Sequence, residues 1–384
     1  MDNLFDFFYG EIVTTFQEIN NIIIKERRYH HTKEYDDNFI NNIQLLEKES
    51  KYIDDRIYDE IVNHDKYNNI YNIVFPLNLN QNSNEIYCDI KFYGYDSNIL
   101  NKNNTLSSMI LFIQMLYHLS IKEKIKHQFK DIKIHIFFTD FEKKLPKNKE
   151  DELDAYHINT GLTLHKSYNG EILIYRKEEW YKVLIHEMIH LLGFDNALFY
   201  DKHEKQIIHL FQFKKINRIN YNEAYVECIA EIIHILLLSI IQVKNMNDYK
   251  KIYTIFMKKI HGEIEYSKSN ILKIMNHMNI DITNNQHLHT SFSNYHENTN
   301  IMSYYFIKSY LYHDIEKFVN WLTFNGNIII NTQLNYNLKN KPFGSFLVDM
   351  ISKSSLPTSL LEIRNRNRNR NRKLIMSKYN YFYK

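Results

Sequence analysis

Apolar residues recur at helical spacing over 4–28 (LFDFFYGEIVTTFQEINNIIIKERR) and 106–129 (LSSMILFIQMLYHLSIKEKIKHQF), and again over 251–280 and 301–322. That period predicts helices. Short runs rich in isoleucine and aromatic residues predict strands at 85–95 (EIYCDIKFYGY), 131–140 (DIKIHIFFTD) and 170–176 (GEILIYR). Two further stretches, 177–193 (KEEWYKVLIHEMIHLLG) and about 221–243, are apolar nearly all the way round. A helix of that kind belongs in a core. Acids lead the first of them, and Gly193 is placed to end it. Residues 30–84 are polar and show no clear period. The pattern reads as α+β, with a small sheet packed on helix 177–193 and mostly helical N- and C-terminal parts. The expected divisions are 1–125, a central unit over 126–325, and an extension over 326–384.

Three polar residues interrupt the greasy helix at 177–193: His186, Glu187 and His190. Side chains four apart on a helix stand one above the other. The two imidazoles therefore face one point, and each can give a nitrogen to a zinc ion at about 2.0–2.1 Å. Glu187 is rotated from His186 by about 100° and can take a proton from a water activated by that metal. Buried without a metal, these groups would cost several kcal/mol unless paired. An HExxH match can also arise by chance in a chain with 19 histidines, so the motif needs a third ligand.

Composition narrows the setting. The chain has 384 residues, of which 44% are hydrophobic, enough for a large core. The net charge of +3 does not call for nucleic acid. Two distant cysteines, Cys88 and Cys228, make neither a disulfide framework nor a thiolate zinc cluster. The acidic, aromatic start MDNLFDFFYG does not look like a signal peptide. The greasiest run, 228–243, is shorter than the ~20 residues a bilayer needs and holds Glu231 and His234. An intracellular protein with no membrane partner is expected. The repeat RNRNRNRNR at 364–372 reads as a solvated low-complexity segment before it reads as a nucleic-acid arm. Abundant Asn, Ile, Lys and Tyr, beside 8 Gly and 4 Pro, match the coding bias of an AT-rich genome.

The second greasy helix opens NEAYVECIAEIIH, with Glu223, Glu227 and Glu231 at four-residue steps and His234 continuing the stripe. Carboxylates inside a buried helix should face a cation or a polar cavity. HExxH followed by NExxxE resembles the gluzincin, or thermolysin-like, zinc metallopeptidases. Segments around the two motifs, with TNIMSYYFIKSYL at 299–311, are also similar to metallopeptidases of large DNA viruses. A viral protein acting in host cytoplasm or virion would fit the composition.

The resemblance implies a zinc peptidase acting on a peptide or protein, with His186, His190 and Glu223 as metal ligands. It makes Glu227 the acid that fixes the tautomer of His186, and Glu187 the general base. Such enzymes bind substrate along a strand edge, which points to Asn159 and Gly161. Their oxyanion donors lie downstream, which points to His296 and Tyr304, with His287 and His289 as alternatives. A rival pattern, the metzincin HExxHxxGxxH, has Gly193 in place but Asn196 where a histidine belongs, with Asp195 one position out of register. NIMSY at 300–304 resembles a metzincin Met-turn. A catalytically inactive zinc-binding interaction protein is the reading from another class.

Overall fold

The computed structural model describes residues 1–19, 24–30, 52–77, 86–94, 105–123, 125, 130–149, 151–165, 169–195, 201–213, 215–280, 292, 295–324, 342–356, 359–360 and 373–379. The fold is α+β. Six strands form one mixed sheet in the order β1-β2-β3-β4-β6-β5: β1 Lys25–His30, β2 Asn69–Pro76, β3 Tyr87–Tyr93, β4 Asp131–Phe137, β5 Gly161–His165 and β6 Asn169–Ile174. β1, β2 and β3 pair antiparallel, β3, β4 and β6 pair parallel, and β5 returns antiparallel along β6. β3 and β4 stay in register from Tyr87–Asp131 to Tyr93–Phe137, so the expected boundary at 125/126 falls inside one continuous sheet.

Alternation along the strands sends their side chains to two faces. Ile90, Phe92, Ile134, Ile136, Ile172 and Ile174 enter the main core. Tyr93, Phe137, Leu173 and Tyr175 enter a smaller cluster with Ile57 and Ile61 of helix α2 (Asp55–Asn63). α1 (Asp2–Ile19) and α3 (Thr105–Lys122) pack together beside the sheet. Two short elements follow, α4 (Ala155–Ile158) and then α5 (Trp180–Leu191), which lies against β5 and β6. α6 (Asp201–Phe211), α7 (Asn222–Val243) and α8 (Tyr249–His277) come next. α7 is one helix long and apolar enough to cross a membrane, but 89% of its most apolar window is buried in the core. A π-helical turn at Met302–Ile307 runs into α9 (Lys308–His313), followed by α10 (Ile315–Phe324) and α11 (Phe343–Lys353).

Two expectations need correction. The helix expected over 4–28 ends at Ile19, and Lys25–His30 is a strand. Pairing with β2 satisfies a row of backbone groups there, and that nonlocal gain overrides the local period. The helix expected over 301–322 is wound as a π turn at its start and broken at Asp314 (φ −111°, ψ 47°). By contrast, α5 ends as its sequence predicts, with Gly193 just beyond it at φ 72°.

Gly161 shows how tightly β5 sits on α5. A Cβ there would meet the Leu173 carbonyl oxygen at 2.9 Å and Val183 Cγ1 at 3.0 Å. Gly161→Ala is expected to cost about 1–3 kcal/mol by overpacking. Urea unfolding measures it, and an unchanged midpoint would contradict this packing.

A candidate metal centre between two antiparallel helices

α5 carries Lys182, His186 and His190 at four-residue steps, and α7 carries Glu223, Glu227 and Glu231 at the same spacing. Early positions on one pair with late positions on the other, so the helices run antiparallel. His186 Nε2 and His190 Nε2 each lie 3.2 Å from Glu223 Oε2, and the two nitrogens are 3.1 Å apart. His186, His190 and Glu223 thus form a mostly buried donor group able to hold a metal ion.

The far side of each imidazole fixes which nitrogen is free. His186 Nδ1 faces Glu227 Oε2 at 3.1 Å, and His190 Nδ1 faces Asp195 Oδ2 at 2.8 Å. Each Nδ1 donates its hydrogen to a carboxylate, so both Nε2 atoms present lone pairs. Two nitrogen lone pairs and a carboxylate oxygen converge within hydrogen-bonding distance. That arrangement repels itself unless a cation sits among the three atoms. Protons are the alternative cation. Burial disfavours imidazolium, but the hydrogen bonds of His186 to Glu223 and Glu227 outweigh it and raise its pKa. The charge of Glu223 and the hydrogen bond to Asp195 raise that of His190 further. Burial opposes ionised Glu223 as well, yet the two imidazoles hold it well below the usual carboxylate range.

The polar groups continue behind the donors. Lys182 Nζ donates to Glu227 Oε1 at 2.5 Å, and Lys308 Nζ lies 3.8 Å from the same oxygen. Lys308 Nζ also donates to Glu231 Oε1 at 2.8 Å, and Tyr312 Oη to Glu231 Oε2 at 2.6 Å. Burial opposes both members of the Lys182–Glu227 pair, but mutual attraction outweighs it, raising the lysine pKa and holding the glutamate's well down. The two ammonium groups meet Glu227 and Glu231 on α7 and leave Glu223 to the imidazoles. Lys182→Met is expected to destabilise the fold by about 3–5 kcal/mol, because it strips Glu227 of its nearest counter-charge. Adding Glu227→Gln should recover part of that loss in a double-mutant cycle, and two additive losses would show that the pair does not interact.

Glu187 turns away from the donor triangle. Its Oε2 accepts the Thr163 hydroxyl at 2.7 Å, which ties it to β5, the last strand of the sheet. Tyr304 Oη donates to Glu223 Oε2 at 3.1 Å, and Asn220 Nδ2 to Oε1 at 3.1 Å. A cavity of about 830 Å³ opens here, lined among others by Asn159, Gly161, Thr163, Glu187, Arg218 and Tyr304. Asn159 Oδ1 accepts the Thr299 hydroxyl at 2.9 Å.

Eight of the nine residues expected to make the site line this cavity. The ninth, His296, is half-buried and is not among the lining residues. The residues that the sequence reading missed are Thr163, Lys182, Lys308 and Asn220, and Asp195 acts on His190 Nδ1 rather than joining the donor triangle. Lys182 had a readable signal: it lies four residues before His186 in an otherwise apolar helix. Asn196, His287, His289 and the Arg-Asn repeat lie outside the described residues. No protein-family model, curated protein or solved structure matches the chain.

Proposed function

We propose that the chain is a zinc-dependent peptidase of the gluzincin kind, acting on an extended peptide or protein segment. The observation that carries the reading is the convergence of two imidazole lone pairs and one carboxylate beside a separate, cavity-facing glutamate. Two imidazoles and a carboxylate suit zinc better than calcium or magnesium, which take oxygen donors. The edges of 3.1–3.2 Å are near the roughly 3.3 Å separating ligands in a tetrahedral zinc site. Zinc bound there would supply Lewis acidity to a water and a substrate carbonyl.

The chain's own groups carry the rest. Glu187, held by Thr163, takes the proton from the attacking water and returns it to the leaving amine. Tyr304 Oη, beside Glu223, is a donor for the developing oxyanion. β5 offers an edge on which a peptide backbone can pair.

The test is to load the protein with zinc, confirm about one ion per chain, and incubate it with a peptide library analysed by mass spectrometry. New amine and carboxylate termini that vanish with a chelator are expected. Full zinc occupancy without cleavage of any peptide would overturn the peptidase reading.

A further inference from the structure

Residues 373–379 (KLIMSKY) dip into the interior at Leu374, Met376 and Ser377, all under 5% exposed, while Lys378 stays exposed. The segment touches the machinery behind the donors at two places. First, the Met376 carbonyl accepts Lys308 Nζ at 3.0 Å, and Met376 Sδ lies 3.7 Å from Lys182 Nζ. Those are the two ammonium groups beside Glu227, which in turn holds His186. Second, the Ser377 N–H donates to Glu179 Oε1 at 2.7 Å.

Glu179 stands immediately before α5 with φ 61°, a left-handed conformation costly for a residue with a side chain. Its carboxylate is pinned on one side by Lys143 Nζ at 2.8 Å and on the other by Ser377. The strained residue sets where the metal-binding helix begins, and the C-terminal segment helps hold it there. Met376 itself lines the cavity.

We propose that residues 373–379 are a positioning strap. They fix the start of α5 through Glu179, and the orientation of His186 through Lys182, Lys308 and Glu227. The strap touches none of the three donors, yet the affinity of the donor set for metal depends on it. Second-layer partners of metal ligands typically change affinity by 10–100-fold, and the strap acts one layer further out.

The inference rests on the metal-site reading, so wild-type zinc affinity is measured first, by competition with a chromophoric chelator. Two variants and a control follow. Truncation after Arg372 removes the strap, and the synthetic peptide KLIMSKY is then added back. Ser377→Pro removes the N–H that reaches Glu179, and Ser377→Ala, which loses only the hydroxyl bonded to Glu263 and Tyr379, serves as its control and should leave zinc affinity unchanged. At least fivefold weaker zinc binding is expected in Ser377→Pro with its circular dichroism unchanged, and likewise in the truncated chain, recovering as the peptide is titrated in. Should truncation prevent folding, Ser377→Pro decides alone. A shift smaller than fivefold in folded Ser377→Pro overturns the strap while leaving the metal site standing. Absence of zinc binding by the wild type overturns the metal site itself.

Discussion

On the proposed peptidase reading, Glu187→Gln is expected to lower peptide hydrolysis by about 10²–10⁴-fold, while zinc content and melting temperature stay at wild-type values. Glutamine keeps the size of the side chain and can still accept the Thr163 hydroxyl now found 2.7 Å from Oε2. It cannot take up a proton from water. Glu187 is no part of the donor triangle, so the metal has no reason to leave. The check is a paired measurement of kcat/KM and of bound zinc on one preparation. A variant that keeps its activity would remove Glu187 from the chemistry. A variant that loses zinc with its activity would show that Glu187 supports the donors instead.

Zinc binding at the donor triangle is expected to have the second large effect, and one that depends on pH. A ligand that binds only the folded chain stabilises it by about 4 kcal/mol when free ligand is a thousandfold above Kd. Zinc is expected to raise the melting temperature accordingly, and Glu223→Ala to abolish the rise. In the metal-free protein, the raised pKa values of His186 and His190 mean that protons do part of the same work. That stabilisation is full below the ordinary imidazole value of about 6.5 and is lost as pH rises through the raised values. Zinc must displace those protons. Its contribution is therefore greatest at high pH and fades in acid, where the melting curves of the two forms should converge. A zinc-induced rise that stays constant from pH 8 to pH 5 would place the ion elsewhere.

The readable parts of this chain are those whose signal is local. α5 and α7 emerge near their expected limits because their apolar period is strong, and the four-residue steps of His186–His190 and Glu223–Glu227–Glu231 state which side chains share a face. What the steps do not state is the partner. Glu227 meets Lys182, and Glu231 meets Lys308, across 45 and 77 residues of chain, so a stripe of acids could be seen without its counter-ions. Tyr304 and His296 were equally eligible as donors by position, and only the winding of the chain after Ile301 turns the tyrosine towards Glu223. β1 failed for the same reason in reverse. The period of α1 runs on into residues whose structure is decided by β2, about 40–50 positions away.

The π turn at Met302–Ile307 sets the phase of everything after it. Winding an extra residue into one turn offsets the downstream helix by about 100° relative to a uniform α-helix. Tyr304, Lys308 and Tyr312, at four-residue steps, all face α7, meeting Glu223 at one end and Glu231 at the other. A buried helix normally tolerates substitutions of like size better than any change in length. Here winding and length are tied: with every residue kept, regular α winding would turn Lys308 and Tyr312 by about 100° from their present aim, whereas deleting one residue from 305–307 would let regular winding carry them to nearly the same azimuth.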